Sequence, residues 1–192
     1  MKKIFLFSIM LSLAWILAAA GCSRYQVRIP ALPLREADLY PQEQNKDGLI
    51  VAADDYFDVN KSHQAFGVNF AKENILVIEV IVSNRSNDAY AIQSNEVLLL
   101  RDDQVIYPLL ALEVSSDEQL TEYLNMVELK NVVVNPGESA HGFLYFRLPK
   151  EPLEDERTRF SSMWPHAYRL RVGATQIEQN SRLVYTISLR NM

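Results

Sequence analysis

Cysteine, histidine and glycine are all scarce in this chain. Its 192 residues include 1 Cys, 3 His, 6 Gly and 8 Pro. A single cysteine excludes a disulfide scaffold. So little glycine and proline excludes collagenous and low-complexity chains. His63, His141 and His166 lie far apart in sequence, without the short-spaced pair that zinc sites use. Positive charge is also short. The 19 Lys and Arg face 24 Asp and Glu, a formal charge of -5, so no basic surplus exists to neutralise phosphates and nucleic acid is not an expected partner. There is no Gly-x-Ser-x-Gly, no His-Glu-x-x-His, no phosphate-cradling glycine loop and no cysteine cluster. The expectation is a protein that is not an enzyme and needs no cofactor or metal.

What is present is enough apolar material, 48% of residues, for one buried core. The longest hydrophobic run stands at the amino terminus. Lys2 and Lys3 precede Ile4 to Leu17, interrupted only by Ser8 and Ser12, and Ala18-Ala19-Ala20-Gly21-Cys22 follows. A short basic region, a greasy run and a small-residue exit are the parts of an export signal. A helix of 14 residues rises about 21 Å against a hydrocarbon core of about 30 Å, which is short for a span. Counted through Ala20, the run reaches the lower limit of one, so an uncleaved anchor remains the alternative.

Ala19-Ala20-Gly21-Cys22 resembles the lipobox of bacterial lipoproteins, with Ala19 where Leu is commoner. The resemblance covers the first 22 residues. It implies cleavage before Cys22, a diacylglycerol thioether on its sulfur and an acylated amine. The membrane would then be a partner through the lipid, and lipidation would consume a thiol otherwise left reactive in an oxidising compartment. Several acyl chains anchor stably where one binds only marginally. Ser23 in place of Asp implies the outer membrane, facing the periplasm. A buried, unmodified Cys22 is the plainer alternative.

Three parts are expected: a signal peptide over 1–21, the lipidated cysteine and a tether over 22–47, and a β-sandwich domain over 48–192. Pro30, Pro33, Pro41 and the polar run 42–47 mark the tether, although Tyr25 to Ile29 alternates weakly enough to dock as an edge strand. Asp47-Gly48 is a turn signal. Leu49 to Ala53 reads as the first strand, and Ile75 to Val82 as a central strand covered on both faces, ending at the turn cluster 84–88. Val97 to Arg101 and Val105 to Tyr107 flank Asp102-Asp103-Gln104 as a hairpin, and Val132 to Val134 precedes the Asn135-Pro136-Gly137 turn. Gly142 to Leu148, the stretch at Tyr168 to Val172 and that at Leu183 to Arg190 alternate as strands with one wet face. Ser115-Ser116-Asp117-Glu118 has the form of a capping box, followed by Leu120, Tyr123, Leu124 and Val127 at helical spacing, which predicts one amphipathic helix over 116–128. The fold class is therefore mainly β, an antiparallel sandwich with one inserted helix. The order Phe66-Gly67-Val68-Asn69, Asn84-Arg85-Ser86, Pro136-Gly137-Glu138-Ser139 and Gly142 to Phe146 is similar to that of uncharacterised bacterial lipoproteins with an immunoglobulin-like domain, loosely, over 48–148. That resemblance implies a fold and a place, and no activity.

Two clusters stand out. Asp54, Asp55, Asp58 and Asn60 are rich in oxygen, but as a calcium loop starting at Asp58 the run puts His63 where Gly is needed and Asn69 where Glu is needed. A solvated acidic turn is the reading. Tyr56, Phe57, Phe66 and Phe70 fall in a stretch read as loop. Exposed together they would form an apolar binding patch, and tucked under the sandwich they would be core. Trp164, before Pro165, is a rim contact or a loop plug. The function expected is that of a membrane-anchored, non-enzymatic module binding or bracing another envelope component, a protein, through its edge strands or the 56–70 loop. The alternative is a small-ligand or glycan binder stacking on these aromatics.

Overall fold

The structure, a computed structural model, describes residues 35–149 and 168–189. Cys22, Trp164, the signal segment, most of the tether and His166 lie outside them. The expected mainly β fold is what forms. Among the described residues, nine strands make two antiparallel sheets. In the first, β1 (Gln44–Lys46), β2 (Leu49–Asp55), β3 (Ile75–Asn84) and β7 (Ser139–Arg147) lie in that order. In the second, the order is β5 (Gln104–Ile106), β4 (Tyr90–Arg101), β8 (Arg169–Gln176) and β9 (Arg182–Ser188), with β6 (Val132–Val134) also paired to β4.

β3 is the axis of the fold, and all ten of its residues are buried. Its β-branched run has no wet face because both sides are covered. Leu76, Ile78, Val80 and Val82 face the second sheet and meet Val97, Leu99, Leu170, Val172 and Tyr185 in the inter-sheet core. Ile75, Val77 and Ile81 face outward, beneath helices at one end and a 3-10 turn at the other. The helices are α1 (Val59–Phe66), α2 (Ala111–Val114) and α3 (Glu118–Val127), with 3-10 turns at Ala37–Leu39 and Phe70–Glu73.

Four expectations are corrected. The stretch read as a loop contains α1. Asp58 caps its first turn, accepting from the Lys61 amide at 2.9 Å, and Gly67 ends it in the left-handed region. The helix expected over 116–128 starts two residues later than the Ser115 box implies, with Asp117 as its cap. Asp117 accepts from the Leu120 amide at 2.8 Å, while the Ser115 hydroxyl accepts from the Asp117 amide. β7 was expected to have a wet face, yet Gly142 to Phe146 are all buried, because α3 and α2 cover its outer side. Finally, the described part of the tether belongs to the body. Ala37 is fully buried, its amide donating to Ser83 Oγ at 3.0 Å, and Arg85 clamps Glu36 and Asp38. β1 and β2 form a hairpin through Asp47 and Gly48, both at positive φ, the geometry an Asp-Gly pair favours.

Candidate functional site

The aromatics do not form one patch. Tyr56, Phe57, Phe66 and Phe70 are each 6% exposed or less. Phe57 points into the inter-sheet core, and the other three lie on the outer side of the first sheet. There Phe66 meets Tyr56, Phe70 and Phe143 edge-on, with centroids 5.6, 5.4 and 5.1 Å apart. Edge-on contacts among buried rings are a packing arrangement, and no face is left for a sugar to stack upon. The physical reason is α1, which rolls this segment's apolar side onto the sheet. The contact surface expected of the 56–70 stretch is therefore corrected to a second, outer core.

Between that core and the 3-10 turn at Ala37–Leu39 lies a polar notch. Register places Asp54, Glu79 and Phe143 in one row, and Ile81 beside His141 in the next. Glu79, 4% exposed, receives the Tyr56 hydroxyl at 3.1 Å on one oxygen and lies 2.9 Å from His141 Nδ1 on the other. Lys61 pairs with Asp54 at 2.5 Å, also donates to the Asp55 carbonyl, and stands 4.4 Å from the Tyr56 ring centre. Burial, followed by the negative charge of Glu79 and Asp54, pushes the Tyr40 phenol up to about 12 and raises that of Tyr56 further. Burial likewise raises the Asp55 carboxyl. Glu79, Tyr56, His141, Lys61, Asp54 and Asp55 each have a partner, so the notch is a satisfied buried carboxylate. The acidic cluster likewise divides its work: Asp58 caps a helix, Asp54 holds Lys61, and Asp55 accepts from the Phe57 amide at 3.4 Å.

Of the sheet edges expected to bind partners, those at β9 and β7 are closed. β9 is capped by side chains of β1: the Gln44 carboxamide donates to the Thr186 carbonyl at 2.6 Å and accepts its amide at 3.1 Å, and Lys46 donates to the Val184 carbonyl. On β7 the amides of Leu109 and Leu129 donate to the carbonyls of Tyr145 and Phe143, at 2.7 and 2.9 Å. Edges blunted in this way do not recruit a strand. An open groove of about 290 Å³ lies beside the capped edge, lined by Pro41, Gln42, Glu43, Gln44, Ile187 and Ser188.

The outer face of the second sheet differs from all of this. No described element packs over it. Pairing places Val105, Leu100, Arg169 and Ser188 in one row, and Leu98, Arg171 and Thr186 in the next. Beyond them Glu96, in a bulge of β4, reaches across Gly173 to Arg182 at 3.3 Å. A Cβ on Gly173 would lie 2.8 Å from that carboxylate. Arg169 and Arg171 have no ion-pair or hydrogen-bond partner among the described residues. Two unpaired arginines beside Leu98 and Leu100 make this face the candidate interaction surface, in a chain whose net charge is acidic. The sequence pattern marks Arg169 and Arg171 only as the wet side of a strand. Their leucine neighbours come from register, which the sequence does not print.

No helix among the described residues is long and apolar enough to cross a membrane. No family model matches the chain, and no curated protein matches it. Solved structures do. Bacillus subtilis yjhA is 16% identical, with 78% of this chain and 97% of that one covered and a TM-score of 0.45. Bacillus subtilis ycdA, a proposed lipoprotein, is 15% identical over 77% of this chain at a TM-score of 0.44, and this chain spans 38% of its length. A protein of unknown function from Listeria monocytogenes is 11% identical, with 78% and 82% covered and a TM-score of 0.40. Likeness at this level assigns no activity.

Proposed function

We propose that this chain is a lipid-anchored, non-enzymatic module of a bacterial cell envelope that binds or braces a protein component through the outer face of its second sheet. Cys22 would carry the diacylglyceryl anchor, and Ser23 favours the outer membrane, facing the periplasm. The reading is supported by one asymmetry. One sheet lies under helices and the edges of β7 and β9 are plugged, while the other sheet leaves Leu98, Leu100, Arg169 and Arg171 without cover among the described residues. Anchoring takes the place of affinity: a domain confined near its partner works at high effective concentration with few contacts. No cofactor takes part. The lipobox resemblance carries the anchor, and the sheet face carries the binding.

Photocrosslinking in intact envelopes tests the reading. A photoreactive residue in place of Leu98 should give discrete adducts with an envelope protein, and one in place of Leu39, on the far side of the sandwich, should give none. Adducts from Leu39 with none from Leu98 would overturn it.

A further inference from the structure

Among the described residues, the first sheet is covered by other elements of the chain and the second is not. We infer that a second copy of this chain supplies the cover: copies associate head to tail, the bare sheet face of one receiving the outward side of α3 from the next. This deepens the proposal that the sheet face binds protein, and it rests on that reading.

Helix α3 has two distinct sides. Leu120, Tyr123 and Leu124 pack inward against Phe66, Phe143 and Tyr145. Glu118 and Glu122 lie about 160° to 200° round the helix from Leu120, taking 100° per residue, and so face away from the core. Both are exposed, and neither has an ion-pair partner among the described residues. Like charges one turn apart disfavour a helix unless a cation answers them. Met126 continues the same line, 60% exposed, and Leu112 on α2, which packs beside α3, is 67% exposed.

The spacings match. Arg169 and Arg171 sit two residues apart on one face of a strand, about 6.7 Å. Glu118 and Glu122 sit one turn apart on a helix, a rise of about 6 Å. Two parallel Arg–Glu pairs can form at once, each bidentate in kind. Leu98 and Leu100, register partners of the two arginines, then lie beside the helix where Met126 and Leu112 offer apolar cover. The contact repeats the helix-on-sheet layering by which α3 already covers β7. Because the two faces differ, the contact is heterologous and propagates into a ring or a row. Chains confined to one membrane surface need only weak affinity for this.

The test uses two charge-reversal variants of the full chain in detergent: R169E/R171E, and E118K/E122K. All four positions are at the surface, so each variant should keep the wild-type near-ultraviolet circular dichroism. In a sedimentation dilution series, wild type should form species larger than a dimer, and each variant alone should be monomeric. Mixed together, the variants should again form species larger than a dimer, since the arginine face of one meets the glutamates of the other and the two reversed faces also complement each other. The quadruple swap should regain wild-type association. A wild type that stays monomeric throughout, assemblies that survive both variants, or a mixture that stays monomeric would overturn the inference. Crosslinks from position 98 to a different envelope protein, with no self-association, would overturn it and leave the broader binding role standing.

Discussion

The Gln44 carboxamide stands beside Thr186 as a strand would, donating to its carbonyl at 2.6 Å and accepting its amide at 3.1 Å. One side chain thus closes the exposed edge of β9 and ties the two sheets together. Gln44→Ala uncovers both backbone groups, and should lower stability by about 1–3 kcal/mol in denaturant titration. The same variant should raise light scattering on heating, because a bared edge pairs with other chains. Unchanged midpoint and scattering would show that water replaces the carboxamide at no cost.

Glu79 is the one charged residue in β3, and Tyr56 and His141 are its partners. Tyr56→Phe leaves one carboxylate oxygen buried without its donor, at a cost of about 1–3 kcal/mol. Glu79→Ala should cost more than this, since it opens a cavity and strands the Tyr56 hydroxyl. Thermal denaturation of the two variants should rank them in that order.

Three buried phenols and the half-buried Tyr40 set the alkaline limit. Tyr40 is pushed up to about 12, and Tyr56, Tyr145 and Tyr185 are raised further, in each case chiefly by burial. A folded-state value above the ordinary 10.0 means that the unfolded chain releases these protons first. Their contribution is complete below pH of about 10 and is lost as pH rises through the folded values. Phenolate absorbance of the buried set should therefore appear together with loss of circular dichroism, in one cooperative step. Smooth ionisation with the spectrum intact would contradict the burial.

Two small changes probe local geometry. A Cβ on Gly142 would lie 2.5 Å from the Leu129 Cα, where the chain from α3 crosses β7. Gly142→Ala should cost about 1–3 kcal/mol or more, because backbone has to move. Asp58→Ala should cost about 0.5–2 kcal/mol through loss of the α1 cap. If Asp58 instead bound calcium, the wild-type melting temperature would rise with added Ca²⁺; the capping account predicts no shift.

Strands whose own residues dictate burial were legible. Ile75 to Val82 is apolar enough to require cover on both faces, and it is the centre of the first sheet. Pro136-Gly137 turns with Gly137 at a φ of 79°, as such a pair demands. α1 was signalled by Asp58 and Gly67 at its two ends, but its eight residues carry too few apolar positions for a clear period. Without that helix the pattern leaves patch and core as alternatives, and the structure takes the core. β1 was hidden for the opposite reason, since Gln44–Lys46 is wholly polar and becomes a strand through pairing with β2 and side-chain bonds to β9. The bare face, too, depends on which residues of β4 stand beside Arg169 and Arg171, and a four-residue excursion between Ile92 and Val97 resets that register. Local pattern carries no trace of it.

The anchor is the claim on which place and role both depend, and the mass of the intact protein from native membranes tests it most directly. The account predicts a chain beginning at Cys22 and heavier than its residues by a diacylglyceryl group and an amide-linked acyl chain. A chain beginning at Met1, or one with an unmodified thiol at position 22, would contradict it.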